Sequence, residues 1–149
     1  MTLRYLLIGI CLAVSTVAWA GPAEDADAVV EKWAVAYSAN DPEAILKLYT
    51  PDAIFLGTIS PIIATTPDTR RAYFARLPGT GNKVRFSDKR TMVLSDGVVL
   101  SSGFYDFTIM RDGKPSEATN RYTMVLVKQP GGDWLIAHHH SSNRPKPPQ

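Results

Sequence analysis

Three turn signals constrain the second half of this chain more than any other feature. Asp96-Gly97, Asp112-Gly113 and Pro130-Gly131-Gly132 separate runs rich in β-branched and aromatic residues from Val84 onward. Asp-Gly suits tight hairpins because glycine reaches positive φ without steric cost. Three such turns join four strands into an antiparallel meander. Short turns of this kind leave no room for crossover helices, so any helices must come from the first half.

They do. Ala26, Val29, Val30, Trp33, Ala36 and Tyr37 recur at i, i+3, i+4, i+7, i+10 and i+11, one apolar face of an α-helix. Asn40-Asp41-Pro42 ends that helix and starts another, since Asp41 caps and Pro42 suits the first helical position. Ile45, Leu46 and Tyr49 give the second helix its buried side, and Thr50-Pro51-Asp52 breaks it. Ala53 to Leu56 reads as a short strand. Thr66-Pro67 then caps a third helix carrying Tyr73, Phe74 and Leu77. Helices first and strands after predict an α+β domain.

The first twenty residues stand apart. Arg4 gives a positive start, Tyr5 to Trp19 is uncharged and mostly apolar, and Ala18-Trp19-Ala20 supplies a cleavage site before Gly21. The apolar run is shorter than the roughly 20 residues that span a bilayer. We read residues 1–20 as a signal peptide, 21–143 as the domain and 144–149 as a loose tail, which predicts a periplasmic or secreted protein. The only cysteine, Cys11, leaves with the signal, so no disulfide or thiol chemistry is expected in the mature chain. Of 16 basic and 14 acidic residues Arg4 is also lost, leaving a charge near +1. That balance argues against nucleic acid as a partner and gives no support for a membrane surface.

Hairpin parity assigns side chains to faces. With Asp112-Gly113 inside the turn, even residues of the strand Val98–Met110 share a face with odd residues of Glu117–Val127. Taking 129–133 as the last loop, one face collects Tyr105, Phe107, Tyr122, Met124, Leu126, Trp134, Ile136, His138 and His140. The other collects Phe104, Asp106, Thr108, Arg121, Thr123, Val125, Leu135, Ala137 and His139. Both faces are largely apolar, so one meets the helices and the other a second subunit. On the second face Asp106, Arg121, Thr123 and His139 interrupt the apolar set. They form either a ligand pocket or a structural ion pair that orders the sheet.

This arrangement resembles the nuclear transport factor 2-like (SnoaL-like, ketosteroid isomerase-like) superfamily. The resemblance implies a cone-shaped α+β fold, with three N-terminal helices packed on a strongly bent antiparallel sheet. The runs Leu48–Thr58, Arg71–Phe74, Ser102–Tyr105, Arg121–Thr123 and Trp134–Ser142 are similar, more specifically, to the association domain of calcium/calmodulin-dependent protein kinase II. Exported bacterial members carry that domain alone. The resemblance covers nearly all of residues 24–143. It implies a homo-oligomer, a dimer or larger, with a pocket whose arginines take small carboxylates. Arg121 matches one such arginine; Asp106 stands where the family has a second, and Ser141 where it has a third.

Two functional classes follow. In the first, an oligomerising domain binds a small polar or carboxylated molecule through Arg121, His139, Asp106, Thr123 and Tyr105, with Asp106 orienting Arg121. In the second, an isomerase, cyclase or hydratase uses His139 or Asp106 as base. A neighbouring Arg121 lowers the basicity of Asp106, whereas histidine titrates near neutrality unaided. Tyr37, Tyr49, Tyr73 and Tyr105 offer hydroxyls to a pocket or pack in the core. His138 and His140, at i and i+2, lack a third metal ligand, so no metal is expected. No glycine-rich nucleotide loop follows a strand, so no cofactor is expected either.

Overall fold

The computed structural model describes residues 21–145; the signal-like run 1–20 and residues 146–149 of the tail lie outside them. Helix α1 (Pro22–Ser38) starts on proline and carries Glu24 and Asp25 in its first turn, where the helix dipole favours negative charge. Ala26, Val29, Val30, Trp33 and Ala36 are buried, as their spacing requires, together with Ala34. The chain turns at Asn40, which takes φ 59°, a conformation asparagine tolerates. Its side chain donates to the Asn82 carbonyl at 2.9 Å and accepts from the Gly81 N–H at 2.7 Å, pinning the helix end to the start of the sheet. Asp41 then caps α2 (Pro42–Leu46), accepting the Ala44 N–H at 3.0 Å.

Strand β1 (Tyr49–Leu56) runs longer than the expected 53–56. Thr50-Pro51-Asp52 lies inside it, and Tyr49 belongs to the strand and not to the second helix. The register of β1 shifts between Tyr49 and Ile54, leaving carbonyls without ladder partners. Arg70 of α3 (Pro67–Phe74) fills that gap. Its guanidinium donates to the carbonyls of Ala53 at 2.6 Å, Thr50 at 2.8 Å and Pro51 at 2.9 Å, with only 2 % of the residue exposed. Helix α3 is started by a reciprocal cap between Thr66 and Thr69. Among the described residues, two helices, α1 and α2, and not the expected three, therefore precede the sheet; β1 separates them from α3. Among the described residues no helix is long and apolar enough to cross a membrane.

Strands β2 (Lys83–Ser95), β3 (Val98–Arg111), β4 (Lys114–Lys128) and β5 (Trp134–Asn143) form the expected meander. The sheet order is β1-β5-β4-β3-β2, and β1 joins the edge of β5 in parallel, so the sheet is not purely antiparallel. A bulge in β2 near Phe86–Asp88 brings its backbone against Gly103 of β3. A Cβ at Gly103 would lie 2.0 Å from the Asp88 carbonyl oxygen, so only glycine fits. The inner face, carrying Val99, Tyr105, Tyr122, Met124, Leu126 and Ile136, packs with α1 to form the core.

A second bulge corrects the face assignment. Pairing between β3 and β4 keeps the expected parity throughout, with Phe104 opposite Arg121 and Asp106 opposite Thr119. Between β4 and β5, Lys128 pairs with Trp134 and Leu126 with Ile136, but Val125 pairs with His138. Ala137 is the extra residue. From there on the phase of β5 inverts. His139 and Ser141 point inward beside Tyr105, Tyr122 and Met124, whereas His138 and His140 join Arg121 and Thr123 outside.

Candidate functional site

A cavity of about 400 Å³ opens between α1, α3 and the inner face of the sheet, within the range of small-molecule sites. Trp33 and Tyr37 of α1, Tyr73 of α3, Phe55 of β1, and Tyr105 and Phe107 of β3 give it aromatic walls. Trp33 stacks on Tyr37 at 5.4 Å between centroids, and Tyr37 meets Phe107 edge-on at 5.1 Å. Gly57 lets the Tyr73 ring close over the end of β1, since a Cβ there would lie 2.4 Å from that ring.

His139 lies in the cavity lining, 1 % exposed. Its Nδ1 is 2.8 Å from the Tyr49 hydroxyl, and that oxygen accepts the Trp33 indole N–H at 3.0 Å. The tautomer follows from counting protons. Indole only donates, so Tyr49 accepts from Trp33; its own proton, buried with no other acceptor among the described residues, goes to Nδ1. Neutral imidazole then carries its proton on Nε2. That nitrogen is buried and has no partner among the described residues. Burial first, then the neighbouring His138 and His140, push the pKa of His139 down to about 3. At neutral pH it is an uncharged donor and a poor base.

Beside it runs a chain of hydroxyls. Tyr105 donates to Ser141, Ser141 and Thr58 share a short hydrogen bond, and the Asn120 amide donates to Thr58 at 3.1 Å. Burial raises the Tyr105 phenol well above its ordinary value, so it stays protonated. Three hydroxyl protons serve two hydroxyl–hydroxyl bonds here, leaving one on Ser141 or Thr58 free to donate. Tyr37, also lining the cavity, is pushed up to about 12, chiefly by burial.

The predicted site residues divide between two places. His139 and Tyr105 reach the cavity. Asp106, Arg121 and Thr123 lie across the sheet from it, because the Ala137 bulge turns His139 away from them. Asp106 does not orient Arg121: it accepts from Thr119 at 2.7 Å and pairs with Arg85 at 2.8 Å. Arg121 instead donates to the Ser142 hydroxyl at 3.0 Å. Of the four tyrosines, Tyr37, Tyr73 and Tyr105 line the cavity, while Tyr49 lies behind His139. No group of three or more His, Cys, Asp or Glu among the described residues is placed to hold a metal ion.

Sequence reasoning gave no pocket role to Thr58, Asn120, Arg76 or Arg111, all of which line the cavity. Arg111 was within reach, since β3 parity puts odd residues on the Tyr105 face. Thr58 and Arg76 sit at element ends, where no periodicity speaks.

The SnoaL-like domain family matches residues 26–146. The chain belongs to that SnoaL-like family. Among curated proteins none matches it. A SnoaL-like chain of this build is similar to a Xanthomonas campestris protein described as a calcium/calmodulin-dependent protein kinase II association domain. Identity is 29 %, TM-score 0.77, with 91 % of this chain and 99 % of that one covered. The S. rosetta hub of the same kinase type is 18 % identical, TM-score 0.72, covering 85 % and 100 %. A ketosteroid isomerase-like protein from Erwinia carotovora atroseptica is 17 % identical, TM-score 0.70, covering 83 % and 97 %. The last two share the SnoaL-like fold and, at those identities, establish nothing more.

Proposed function

We propose that the protein is an exported, oligomer-forming SnoaL-like domain that binds a small polar molecule in its aromatic cavity without chemically changing it. One observation carries the reading: His139 lines the cavity, its buried Nε2 has no partner among the described residues, and none of the described lining residues is Asp or Glu. A buried donor without an acceptor costs about 1–3 kcal/mol, a cost that a ligand oxygen removes. A general base must sit in the site with a pKa near the working pH. His139 is held neutral far below that range, and Asp106 lies outside.

Assembly is proposed for the outer face of the sheet, where Leu100, Phe104 and Val125 are half-buried around Arg121 and Thr123. The kinase association-domain neighbours lend it support. A catalytic reading shares the same histidine in a different role. A neutral Nε2–H polarises a carbonyl oxygen, which is the one contribution to an isomerase or dehydratase that this cavity favours.

Native mass spectrometry of the protein purified from the periplasm of producing cells tests the proposal. An assembly carrying a retained small molecule supports both parts. A bare monomer that converts a candidate substrate, and loses that turnover on His139→Ala, overturns the binding reading in favour of the enzyme.

A further inference from the structure

The buried part of the cavity lining is polar without being charged. Asn120 of β4, Ser141 of β5 and Thr58, just past β1, meet there, whereas the charged lining residues, Arg76 and Arg111, are both exposed. Side chains alternate along β4, so Asn120 shares the inner face with the core residues Tyr122 and Met124. An asparagine only 6 % exposed at such a position calls for partners at both ends of its amide. It has a partner at one end. Nδ2 donates to the Thr58 hydroxyl at 3.1 Å, while Oδ1 accepts from none of the described residues. Unlike Asp27 Oδ1 and Thr50 Oγ1, which are unpartnered and shut off, Asn120 Oδ1 keeps accessible surface. For an inward-facing residue of the cavity wall, that surface belongs to the cavity.

A donor stands beside that acceptor. One of the two Nδ2 hydrogens remains, and so does the hydroxyl proton left on Ser141 or Thr58. Each class of guest meets this pair differently. A carboxylate offers only acceptors, so it faces Oδ1 with like polarity and exchanges its water for neutral donors. A ketone or ester takes the donor and leaves Oδ1 unpaired. An ammonium group satisfies Oδ1, but no carboxylate among the described lining residues offsets its charge. A neutral amide has both halves on adjacent atoms, an N–H for Oδ1 and a carbonyl for the donor. The rings of the walls, Trp33, Tyr37, Tyr73 and Phe107, favour a flat, conjugated body to carry it.

We propose that the cavity takes a neutral, flat heteroaromatic lactam, with N–H and C=O on adjacent ring atoms pairing with the Asn120 amide and the hydroxyl beside it. The assignment rests on the binding reading above and adds the neutrality of the guest and the edge by which it is read.

Calorimetric titration with 2-quinolinone and the smaller 2-pyridone tests it. Coumarin and 2-pyrone, in which a ring oxygen replaces the N–H at nearly constant shape, and the anionic 2-naphthoate are titrated beside them. At least one lactam is expected to bind about 10-fold more tightly than its lactone, the scale of one buried acceptor left unpaired. The same lactam is expected to exceed 2-naphthoate by at least as much. Asn120→Leu, which keeps the branched shape and removes the amide, is expected to bring lactam and lactone to equal affinity. The guest series changes nothing in the protein, so it decides the question even where that variant folds poorly. Equal binding of lactam and lactone by the parent protein overturns the inference. A preference that persists in folded Asn120→Leu overturns the role of Asn120. Binding of 2-naphthoate as tight as that of the lactam overturns the neutrality. In each of these cases the binding reading stands. Failure of all five to bind overturns the inference, and the binding reading then survives only if native mass spectrometry finds another retained molecule.

Discussion

The inner and outer faces of the sheet carry similar polar residues, yet those residues do different work. In the interior, Arg70 of α3, Tyr49 and His139 are each almost fully buried, and the Arg70 guanidinium, the Tyr49 hydroxyl and the His139 Nδ1 are hydrogen-bonded within the fold. Outside, Arg121 and Arg85 reach one hydroxyl and one carboxylate across open surface. The three successive histidines make the contrast sharpest. His139 is held neutral in front of Tyr49, whereas His138 is only partly buried and His140 is exposed, although both are its immediate neighbours in the chain. Identity of a side chain therefore says little here; the phase of the backbone decides whether it is structural, ligand-facing or solvated.

The contrast breaks most readily at the arginines. Arg70→Met removes a buried cation that holds three β1 carbonyls and leaves those carbonyls without donors. Losing charged hydrogen bonds of this kind costs about 3–5 kcal/mol. Arg121→Met, on the outer face, is expected to change stability by no more than about 0.5 kcal/mol. Urea unfolding of both variants checks the pair; similar losses would mean the two faces are not energetically distinct.

Tyr49→Phe is the next largest. It leaves the Trp33 indole N–H and His139 Nδ1 facing each other with no oxygen between them, at an expected cost of about 2 kcal/mol. Without its acceptor role fixed by Tyr49, His139 no longer prefers one tautomer. Ligand affinity should fall along with stability, and calorimetry beside urea unfolding separates the two. Undiminished affinity would show that the tautomer does not matter to binding.

Much of this division was legible in the sequence, up to one residue. The hairpin turns fixed β3 against β4, and the 3.6-residue period put Trp33 on the buried side of α1. The Ala137 bulge was not legible. Opposite it, Met124, Val125, Leu126 and Val127 are apolar on both faces, so the hydrophobic pattern of β4 accepts either phase of β5. Alanine itself is small enough to sit in or out of register unnoticed. The same blindness hid the irregular stretch of β1. Its proline looked like a helix breaker, and only the distant Arg70 makes the extra carbonyls tolerable there.

Titration sharpens the comparison at the histidines. In the folded protein burial holds His139 near 3, against about 6.5 in the unfolded chain. Between those values the unfolded chain binds the extra proton, so stability is complete above pH 6.5 and falls as the pH drops towards 3. The expected slope from this residue is about 1.4 kcal/mol per pH unit. Carboxylates add their own slopes, so the check is a difference: unfolding at pH 6, 5 and 4 for the parent and for His139→Asn. The variant should lose stability more gently with acid, by close to one proton.

The smallest effect belongs to Asp106. Its partner Arg85 is largely solvent-exposed, with 70 % of its side chain accessible, and exposed ion pairs contribute about 0–1 kcal/mol. Asp106→Asn keeps an oxygen for the Thr119 hydroxyl and should cost about 0.5 kcal/mol or less. It should leave ligand affinity and any turnover untouched, because the carboxylate faces away from the cavity. A large loss of either would put Asp106 at the site after all. Such a result would require the Ala137 bulge to shift in solution and return His139 to the face that carries Asp106, which the unpaired residue in β5 makes mechanically simple. Asp106→Asn is thus the mildest substitution of the series and the most direct probe of which phase β5 adopts.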